Sequence, residues 1–387
     1  MMTMLRKLLL AAVATALMAF SFEEEIVYRD ASAFPLYGKA TADTYGPYTR
    51  FPASFKEESR EPLWNLSLNS AGLYLRFRSD APSIHARWTN TGYHMPHMTD
   101  VGVGGLDLYS FIDGKWLFVG SGFDWKGVGR KSHERRLVGN MDGEMREYML
   151  YLPLYDGVDS LAIGVPAGYT LEGPRLESPQ SDAPIVCYGT SILQGGCASR
   201  PGMAHTAIIG RMLDREVINL GFSGNAHLDM EVARLMASVP NPAVYVMDNL
   251  PNCTPPMIRE RTKAFVDILR RAHPGVSVVF VEDPIFPHSI VDKSVREGVE
   301  SNNAALREVY AKLLASGYRN LFYVGAEGMT GDDGESFVDG VHLTDLGMLR
   351  YARHVAPVLR EAIACDTLEC LPEIFVGASS SDIRLEK

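Results

Sequence analysis

The stretch Val186-Cys187-Tyr188-Gly189-Thr190-Ser191 carries the main signal for the architecture of this chain: an apolar run that ends in a small-residue turn and a serine. Near the other end of the chain stands Asp339-Gly340-Val341-His342. A serine hydroxyl is a weak nucleophile at neutral pH and requires a neighbouring base that a third group orients. The order Ser, Asp, His therefore predicts a hydrolase that forms an acyl-enzyme. Ser191 is the predicted nucleophile, His342 the base and Asp339 the orienting carboxylate.

The chain from residue 183 onward alternates short apolar segments with segments of helical periodicity. The predicted strands are Pro184–Tyr188, Val217–Leu220, Ala243–Met247, Val276–Val281 and Leu321–Val324, and the predicted helices lie around Met203–Leu213, Asp229–Ser238, Pro256–Ala272 and Ser294–Ser316, with a last helix after Thr344. Short buried strands joined by helices predict a parallel sheet that helices cover on both faces. Ligands bind such sheets at the carboxyl ends of the strands, and Ser191 directly follows the first strand.

The region from Ile26 to Glu177 has a different pattern, with short alternating runs between turn residues. The runs that suit half-buried strands are Leu73–Arg78, Ser83–Trp88, Trp116–Val119, Tyr148–Leu152 and Ser160–Val165. Many short strands at this spacing predict an all-β sandwich or jelly roll. The proline-containing segment 173–184 is the predicted linker to the α/β domain.

Length and composition fit a globular protein of two domains. The sequence has 387 residues, 46% of them hydrophobic, and a net charge of −10 at pH 7. We assign the all-β domain to residues 26–177, the α/β domain to residues 183–365 and a tail to residues 366–387. The negative net charge predicts no basic surface that would bind phosphate groups, so nucleic acid is not an expected partner.

The first residues have the pattern of a secretory signal. Arg6 and Lys7 precede an apolar run from Leu8 to Phe20 that is shorter than a membrane-spanning helix. We therefore predict a signal peptide over residues 1–21, export to the periplasm or the medium of a bacterium, and no membrane span after signal removal. An uncleaved anchor helix stays open as the alternative.

The five cysteines, Cys187, Cys197, Cys253, Cys365 and Cys370, do not make a disulfide framework for a chain of this size. Cys365 and Cys370 could pair in an exported protein, and the sequence leaves this open. No group of cysteines and histidines has the sequence spacing of a zinc site, so we predict no metal.

Two loops carry candidate donors for the negative charge that develops on a substrate carbonyl oxygen. The segment Asn219–Asn225 follows the second predicted strand, and the segment Met247–Asn252 follows the third. A glycine exposes its backbone N–H without a side chain in the way, and an asparagine amide is a neutral donor. The same residues suit tight turns between strand and helix. Both interpretations are compatible, because a tight turn also aims the donor.

Ser191, Gly224, Asn252 and His342 follow one another, one per loop, like the four signature residues of the SGNH (GDSL-like) hydrolase superfamily. This resemblance implies a flavodoxin-like, three-layer α/β/α hydrolase domain with a parallel sheet. It also implies an oxyanion hole made by the backbone N–H groups of Ser191 and Gly224 and by the side-chain amide of Asn252.

The individual sequence blocks match the family to different degrees. Residues 189–192 read Gly-Thr-Ser-Ile where the family often has Gly-Asp-Ser-Leu, and residues 219–224 resemble the family's N-x-x-x-S-G. Residues 248–252 depart from the usual Gly-x-Asn-Asp, which leaves Asn249 open as an alternative to Asn252. The final Asp-x-x-His block is matched closely.

The front half contains Gly105-Leu106-Asp107-Leu108-Tyr109, preceded by Met95-Pro96-His97-Met98. These residues resemble the G-x-D-L-Y motif of a β-sandwich domain that stands ahead of such hydrolases in bacteria. Relatives of this two-domain type are exported esterases, several of which act on acetylated carbohydrates. The resemblance thus implies a serine esterase for short-chain, chiefly acetyl, esters of carbohydrates. It implies no metal or organic cofactor, and its expected partner is a small-molecule or polysaccharide ester.

Five residues are candidate substrate contacts. His97 belongs to a loop that we expect to lean over the site from the sandwich, and Glu282 follows the fourth predicted strand of the α/β domain. Trp88, together with Trp64 and Tyr93, is a candidate for a flat surface on which a sugar ring would stack. The sequence shows no apolar lid segment of the kind expected in a long-chain lipase.

Two other functions stay open on sequence grounds. One is a lipase or thioesterase of the same superfamily that acts on lipid or other acyl esters. The other is a non-catalytic carbohydrate-binding protein on a hydrolase scaffold. The presence of every predicted triad and oxyanion residue argues against the non-catalytic alternative.

Overall fold

The computed structural model describes residues 24–123 and 131–365 of the chain. The predicted signal peptide over residues 1–21 and the predicted tail over residues 366–387 lie outside the described residues. Within the described part, no helix has both the length and the apolar character that crossing a bilayer requires.

The front half of the chain forms two antiparallel sheets. Its strands are β1 (Ile26–Asp30), β2 (Leu36–Tyr37), β3 (Tyr74–Ser79), β4 (Ile84–Asn90), β5 (Leu106–Ile112), β6 (Lys115–Gly122), β7 (Ser132–Val138), β8 (Arg146–Tyr151), β9 (Val158–Pro166) and β10 (Leu171–Glu172). One sheet has the order β1-β9-β4-β7, and the other has the order β10-β3-β8-β5-β6 with β2 paired to β3. Alternate side chains of both sheets share one apolar core, because successive side chains of a strand point to opposite faces. The predicted all-β sandwich is confirmed.

Short helices interrupt this half: α1 (Phe55–Glu58), α2 (Glu61–Ser67) and α3 (Asp100–Gly104). The first two pack away from the sandwich core. Phe55 and Leu63 lie in an apolar cluster with side chains of the α/β half, and the ring of Phe51 lies 5.1 Å from that of Phe222. The segment between β2 and β3, which we expected within the sandwich, therefore belongs to the core beside the parallel sheet.

The back half alternates strand and helix as predicted. Its strands are β11 (Ile185–Gly189), β12 (Val217–Gly221), β13 (Val244–Asp248), β14 (Ser277–Val281) and β15 (Leu321–Val324), and its helices are α4 (Ser191–Gln194), α5 (His205–Leu213), α6 (Met230–Ser238), α7 (Pro255–Ala272), α8 (Lys293–Ala315) and α9 (Asp345–Ala364). All of these strands pair in parallel, in the order β12-β11-β13-β14-β15. This is the flavodoxin-like order, and it confirms the predicted fold class.

Helices cover both faces of the parallel sheet. Val186 and Tyr188 of β11 point into one apolar cluster, which α6, α7 and α8 also line. Their neighbours Ile185 and Cys187 point into a second cluster, which α5 and α9 line. The sheet is thus buried on both sides, as its nearly continuous apolar strands require.

The strand register brings three loops to one edge of the sheet. Gly189, at the end of β11, pairs with Gly221 of β12 on one side and with Asp248 of β13 on the other. The loops after these strands therefore start at the same level, on the carboxyl edge. That edge is where open parallel sheets bind ligands.

A buried arginine joins the two halves. Arg50, 1% exposed, donates hydrogen bonds to the carbonyl oxygens of Gly221 at 2.6 Å, Leu66 at 2.6 Å and Asn69 at 3.1 Å. Its guanidinium also lies 4.7 Å from the centre of the Phe222 ring. Burial lowers the pKa of Arg50 to about 9, so the group remains charged at neutral pH and interacts with carbonyl dipoles.

The G-x-D-L-Y motif forms a second connection between the halves. The Asp107 carboxylate is fully buried and accepts hydrogen bonds from Arg200 Nη1 at 2.8 Å and from the backbone N–H of Gly202 at 2.7 Å. Arg200 also donates to the hydroxyl of Tyr109 at 2.6 Å. Burial raises the pKa of Asp107 to about 6, although the charge of Arg200 acts in the opposite direction. The motif therefore fixes the segment between α4 and α5, which begins just after Ser191.

Candidate active site

The candidate nucleophile stands at the start of a short helix. Ser191 is the first residue of α4, and the side chain of Thr190 caps that helix by accepting a hydrogen bond from the N–H of Ile192 at 3.2 Å. Ser191 is 7% exposed. The residue at position 196 must be small, because a Cβ on Gly196 would lie 2.8 Å from Cδ2 of His342. The absence of that side chain lets the imidazole come close to the serine.

Ser191, His342 and Asp339 form a continuous hydrogen-bonded chain. Ser191 Oγ lies 2.8 Å from His342 Nε2, and His342 Nδ1 lies 2.7 Å from Asp339 Oδ2. An ionised carboxylate only accepts hydrogen bonds, so the proton of a neutral His342 is assigned to Nδ1. Nε2 is then free to accept the proton of the serine hydroxyl, which is the arrangement that activation of a serine requires.

A single turn holds the Asp339 carboxylate in place. Its Oδ1 accepts hydrogen bonds from the backbone N–H of His342 at 2.7 Å and from that of Val341 at 3.0 Å. Partial burial acts to raise the pKa of Asp339, but these bonds and the one from the His342 side chain outweigh burial and lower the pKa to about 2. Asp339 therefore stays ionised at neutral pH and can stabilise a positive charge on His342.

The geometry favours Asn252 over Asn249 as the side-chain donor. The Asn252 Oδ1 accepts a hydrogen bond from the backbone N–H of Ala226 at 3.2 Å, which leaves its Nδ2 to donate. Asn249 is 2% exposed, and its Nδ2 donates to Cys253 Sγ at 3.2 Å. The second N–H of the Asn249 amide is buried with its side chain, which makes Asn252 the better placed of the two donors.

The glycine loop after β12 is fixed from two sides. Gly224 has a φ of +67°, which glycine adopts without strain. The preceding N–H, that of Ser223, donates to Gln194 Oε1 at 3.0 Å, and Arg60 Nη1 donates to Asn225 Oδ1 at 2.9 Å. Sequence reasoning missed Gln194 and Arg60, because their partners lie 29 and 165 positions away and no local motif links them. Across residues 24–123 and 131–365, no hydrogen bond uses the N–H of Gly224.

A loop of the sandwich reaches the triad. The His97 Nε2 lies 3.8 Å from Asp339 Oδ2, and the His97 ring centre lies 5.5 Å from that of His342. Met95 and Met98 anchor the loop on either side, since both are buried in the apolar cluster under the sheet edge. The structure thus brings His97 to the site, as the sequence predicts for this loop. Among the described residues, one group has the donors for a metal ion, and it includes these two histidines and Asp339.

Comparison with known proteins identifies the family to which the chain belongs. Residues 182–360 match the profile of the GDSL-like lipase/acylhydrolase family, and residues 26–171 match the GxDLY profile, which is the N-terminus of SGNH-hydrolase-type esterases. A crystal structure described as that of a GDSL-like lipase from Bacteroides ovatus ATCC 8483 is 35% identical, with a TM-score of 0.83 over 88% of this chain and 98% of that one. The chain belongs to the GDSL-like lipase/acylhydrolase family.

More distant structures share the fold of this family member over the same 88% of the chain. A salicylyl-acyltransferase from a tetracycline biosynthetic pathway is 18% identical, with a TM-score of 0.67 and 98% of its own chain covered. A family two carbohydrate esterase from Cellvibrio japonicus is 12% identical, with a TM-score of 0.56 and 99% of its own chain covered. Curated proteins gave no significant match.

The prediction that Trp88 contacts substrate is wrong for this GDSL-like protein. Its side chain is 1% exposed, lies in the sandwich core and stacks on His133 with ring centres 4.6 Å apart. Trp88 points inward because it occupies an inward position of the alternating strand β4. Trp64 is also buried, at 6% exposed, whereas Tyr93 is 55% exposed.

The prediction that Glu282 contacts substrate is also wrong. Glu282 is 4% exposed, and its carboxylate accepts hydrogen bonds from the Tyr323 hydroxyl at 2.7 Å and the backbone N–H of Ala326 at 2.9 Å. Arg307 Nη1 lies 3.0 Å from the same carboxylate. Glu282 therefore fixes the loop after β15, and its acceptor sites are used within the protein.

Two carboxyl groups are buried beneath the site of this GDSL-like protein. Asp248, 4% exposed, accepts a hydrogen bond from the Tyr351 hydroxyl at 2.7 Å, and Asp283, 2% exposed, accepts one from Asn302 Nδ2 at 3.0 Å. Burial raises the pKa of Asp248 to about 8 and that of Asp283 to about 7. Both groups are thus neutral or partly neutral in the folded protein at pH 7.

These pKa values predict that the protein loses stability as pH rises. An unfolded Asp has a pKa of about 3.9, so the folded protein binds more protons than the unfolded chain between about pH 4 and about pH 8. The contribution of the protonated Asp248 to the free energy of unfolding is complete below about pH 4 and is lost above about pH 8. In Asp248→Asn the residue still accepts from Tyr351 but cannot ionise. We expect the fall in unfolding temperature between about pH 5 and about pH 8.5 to be smaller in Asp248→Asn than in the unmodified protein. Equal falls in thermal melts of the two proteins would contradict the assignment.

Proposed function

We propose that this protein is an exported serine esterase that hydrolyses short-chain, chiefly acetyl, esters of carbohydrates. The observation that carries the proposal is the hydrogen-bonded chain from Ser191 through His342 to Asp339. Membership of a family of lipases and acylhydrolases supports the ester as the bond that is cleaved. The candidate oxyanion donors Gly224 and Asn252 support an acyl-transfer mechanism, since a tetrahedral oxyanion forms in each half of that reaction.

The proposed reaction has two steps. Ser191 Oγ attacks the ester carbonyl carbon while its proton passes to His342 Nε2, and Asp339 stabilises the resulting imidazolium. The tetrahedral oxyanion collapses, the carbon–oxygen bond to the alcohol breaks, and His342 gives its proton to the departing sugar hydroxyl. Water then attacks the acyl-enzyme by the same route, releases the carboxylic acid and restores the Ser191 hydroxyl.

The choice of a carbohydrate rests on three supports. Tyr93 is 55% exposed on the same loop as His97, and an exposed aromatic ring suits stacking against a sugar. His97 itself is partly exposed beside the triad and offers a ring nitrogen to a substrate hydroxyl. The same two-part fold occurs in a family two carbohydrate esterase, although a likeness at this level of identity concerns the fold alone.

A second candidate function is hydrolysis of longer acyl esters. The loop after β14 exposes Ile290 at 78% and Val291 at 86%. This loop packs beside the triad turn, since a Cβ on Gly340 would lie 3.1 Å from Nδ1 of His288. The sequence predicts no apolar lid segment near the site, because Ile290 and Val291 form only a short pair between polar residues. Exposed aliphatic side chains on this loop favour an acyl chain as a ligand.

The proposal of export rests on the basic and apolar N-terminal pattern. It is supported by Cys365, which is disulfide-bonded, because disulfides persist in oxidising compartments. Cys370, with which pairing was an open question, lies outside the described residues. Fractionation of a bacterial host that expresses the full chain, with N-terminal sequencing of the mature protein, tests export and the cleavage after residue 21.

The experiment that tests the substrate compares two ester classes. We expect acetate release from acetylated xylan, and little hydrolysis of a long-chain nitrophenyl ester under the same conditions. Ser191→Ala serves as the blank for both substrates. Faster cleavage of the long-chain ester would favour the second candidate function. Hydrolysis of neither substrate nor of a short-chain nitrophenyl ester would favour the non-catalytic carbohydrate-binding alternative.

Replacement of the side-chain oxyanion donor should lower kcat more than it raises KM. In Asn252→Ala the loss of one donor predicts a fall in kcat of about 10²–10³-fold, because the donor acts on charge that develops only in the transition state. Steady-state kinetics with a short-chain nitrophenyl ester measure this effect. Asn249→Ala is the matched comparison. A larger loss of kcat in Asn249→Ala, at unchanged unfolding temperature, would mean that Asn249 is the donor.

A further inference from the structure

One group of side chains beside the triad has the composition of a transition-metal site. His97, Cys197, Asp339 and His342 each offer one ligand atom, and these atoms all lie within 4.8 Å of one another. Imidazole nitrogen, thiolate sulfur and carboxylate oxygen are the donors that bind Zn²⁺ in proteins. The proposed reaction uses His342 and Asp339 from this group, and it gives no role to Cys197.

The four donors come from three separate parts of the chain. His97 lies on the sandwich loop, Cys197 lies just after α4, and Asp339 and His342 lie in the turn before α9. The Cys197 Sγ donates a hydrogen bond to the backbone carbonyl oxygen of His97 at 3.3 Å, so Cys197 and His97 are in direct contact. Cys197 is a free thiol, and its backbone adopts a positive φ of +66°. The arrangement is therefore set by the packing of the sandwich against the hydrolase half.

The spacing fits a tetrahedral ion after a small adjustment. Bonds of about 2.0–2.3 Å from Zn²⁺ to nitrogen, oxygen and sulfur place neighbouring ligands about 3.5 Å apart. The His97 Nε2 to Asp339 Oδ2 distance of 3.8 Å is close to that value. The His342 Nδ1 to Asp339 Oδ2 distance of 2.7 Å must open by somewhat less than an ångström, and the widest separation in the group must close by about an ångström. The side chains of His97 and Asp339 are about one-third exposed, which leaves a path for the ion from solvent.

We propose that Zn²⁺ binds His97, Cys197, Asp339 and His342 and thereby switches the esterase off reversibly. The His342 nitrogen that would bind the ion is Nδ1, because it contacts Asp339 Oδ2, the same oxygen that lies near His97 Nε2. An ion on Nδ1 moves the imidazole proton to Nε2, and the Cys197 thiol releases its proton to solvent. His342 then presents a proton to Ser191 where the reaction requires a lone pair. No redox change occurs, and removal of the ion restores the working tautomer.

The binding test uses Co²⁺ as a spectroscopic substitute for Zn²⁺ and does not depend on activity. The protein, free of a histidine tag and stripped of metal with a chelator, is titrated with Co²⁺. We expect a thiolate-to-cobalt charge-transfer band that Zn²⁺ abolishes by displacement. The band should disappear in Cys197→Ser and weaken in His97→Ala. It should persist in His94→Ala, a control whose histidine lies on the same loop but pairs with Asp100.

The inhibition test rests on the proposed function. We expect Zn²⁺ to inhibit hydrolysis of a short-chain nitrophenyl ester and EDTA to restore it. Cys197→Ser should keep its activity without metal and require about tenfold more Zn²⁺, or higher, for the same inhibition. His94→Ala should match the unmodified protein.

Each outcome has a defined meaning. Absence of the thiolate band in the unmodified protein, or equal inhibition of Cys197→Ser and the unmodified protein, overturns the proposed site. An inactive protein that shows the band would overturn the proposed function and leave the metal site standing. Circular dichroism checks that Cys197→Ser is folded. If it is not, Co²⁺ titrations of the unmodified protein and of His97→Ala decide the question.

Discussion

Ser191→Ala is expected to lower kcat by about 10⁴-fold or more, with unchanged substrate binding and unfolding temperature. The hydroxyl oxygen forms the covalent bond to the acyl group in the proposed mechanism, and an alanine has no atom that can replace it. The small residue that remains leaves the fold intact, because the Ser191 side chain contributes one hydrogen bond, to His342. Burst kinetics and steady-state rates with a short-chain nitrophenyl ester measure the effect.

Ser223→Ala is the matched control for this prediction. Ser223 lies on the neighbouring loop after β12 and is held through its backbone N–H, which donates to Gln194. We expect this variant to keep most of its activity. Full activity in Ser191→Ala, or an equal loss in both variants, would show that Ser191 is not the nucleophile.

Arg50→Met is expected to destabilise the protein by about 3 kcal/mol, the largest stability effect that we predict for a single side chain. The change removes hydrogen bonds from a charged donor to the carbonyl oxygens of Gly221, Leu66 and Asn69 and leaves those oxygens buried without that partner. Relief of the burial of the guanidinium charge offsets part of this loss. For a protein of this size the loss corresponds to a fall of roughly 4 °C in unfolding temperature.

The same variant should lower esterase activity, because Gly221 ends the strand that leads into the Gly224 loop. Arg50→Lys is not expected to restore stability, since an ammonium lacks the planar fork that reaches several carbonyl oxygens at once. Arg87→Met is the matched control. Arg87 pairs with Glu134 on the sandwich surface with its side chain 53% exposed, and we expect its replacement to leave the unfolding temperature nearly unchanged. Equal unfolding temperatures for Arg50→Met and Arg87→Met would contradict the role that we assign to Arg50.

The parallel sheet and the two-part architecture were predictable because each depends on a short sequence pattern that recurs along the chain. Apolar strands such as β11 are buried on both faces, so their composition alone indicates a covered parallel sheet. The Asp339 and His342 unit was predictable for a similar reason, since a turn of four residues brings carboxylate and imidazole together. The pairing of that unit with Ser191 followed from the resemblance to a family and from the rule that strand ends share one edge.

The errors concern side chains whose environment depends on distant parts of the chain. Trp88 looked available because an isolated strand does not reveal which of its faces is covered. Glu282 looked available because the residues that occupy its carboxylate are distant in sequence. Those residues are Tyr323, Ala326 and Arg307. The preference for Asn252 over Asn249 likewise depends on a distant contact, because the Ala226 N–H of another loop binds the Asn252 Oδ1 and leaves the Asn252 Nδ2 to donate.

Periodicity and local spacing thus establish the sheet, the sandwich and the Asp-His turn, because each depends on residues within a few positions of one another. The packing of the two halves establishes the rest. It buries Arg50 against the carbonyl oxygens of β12, fixes the Arg200 segment to Asp107, and sets His97 and Cys197 beside the triad. These contacts join residues about 90 to 240 positions apart, and a local pattern cannot encode a partner at that distance.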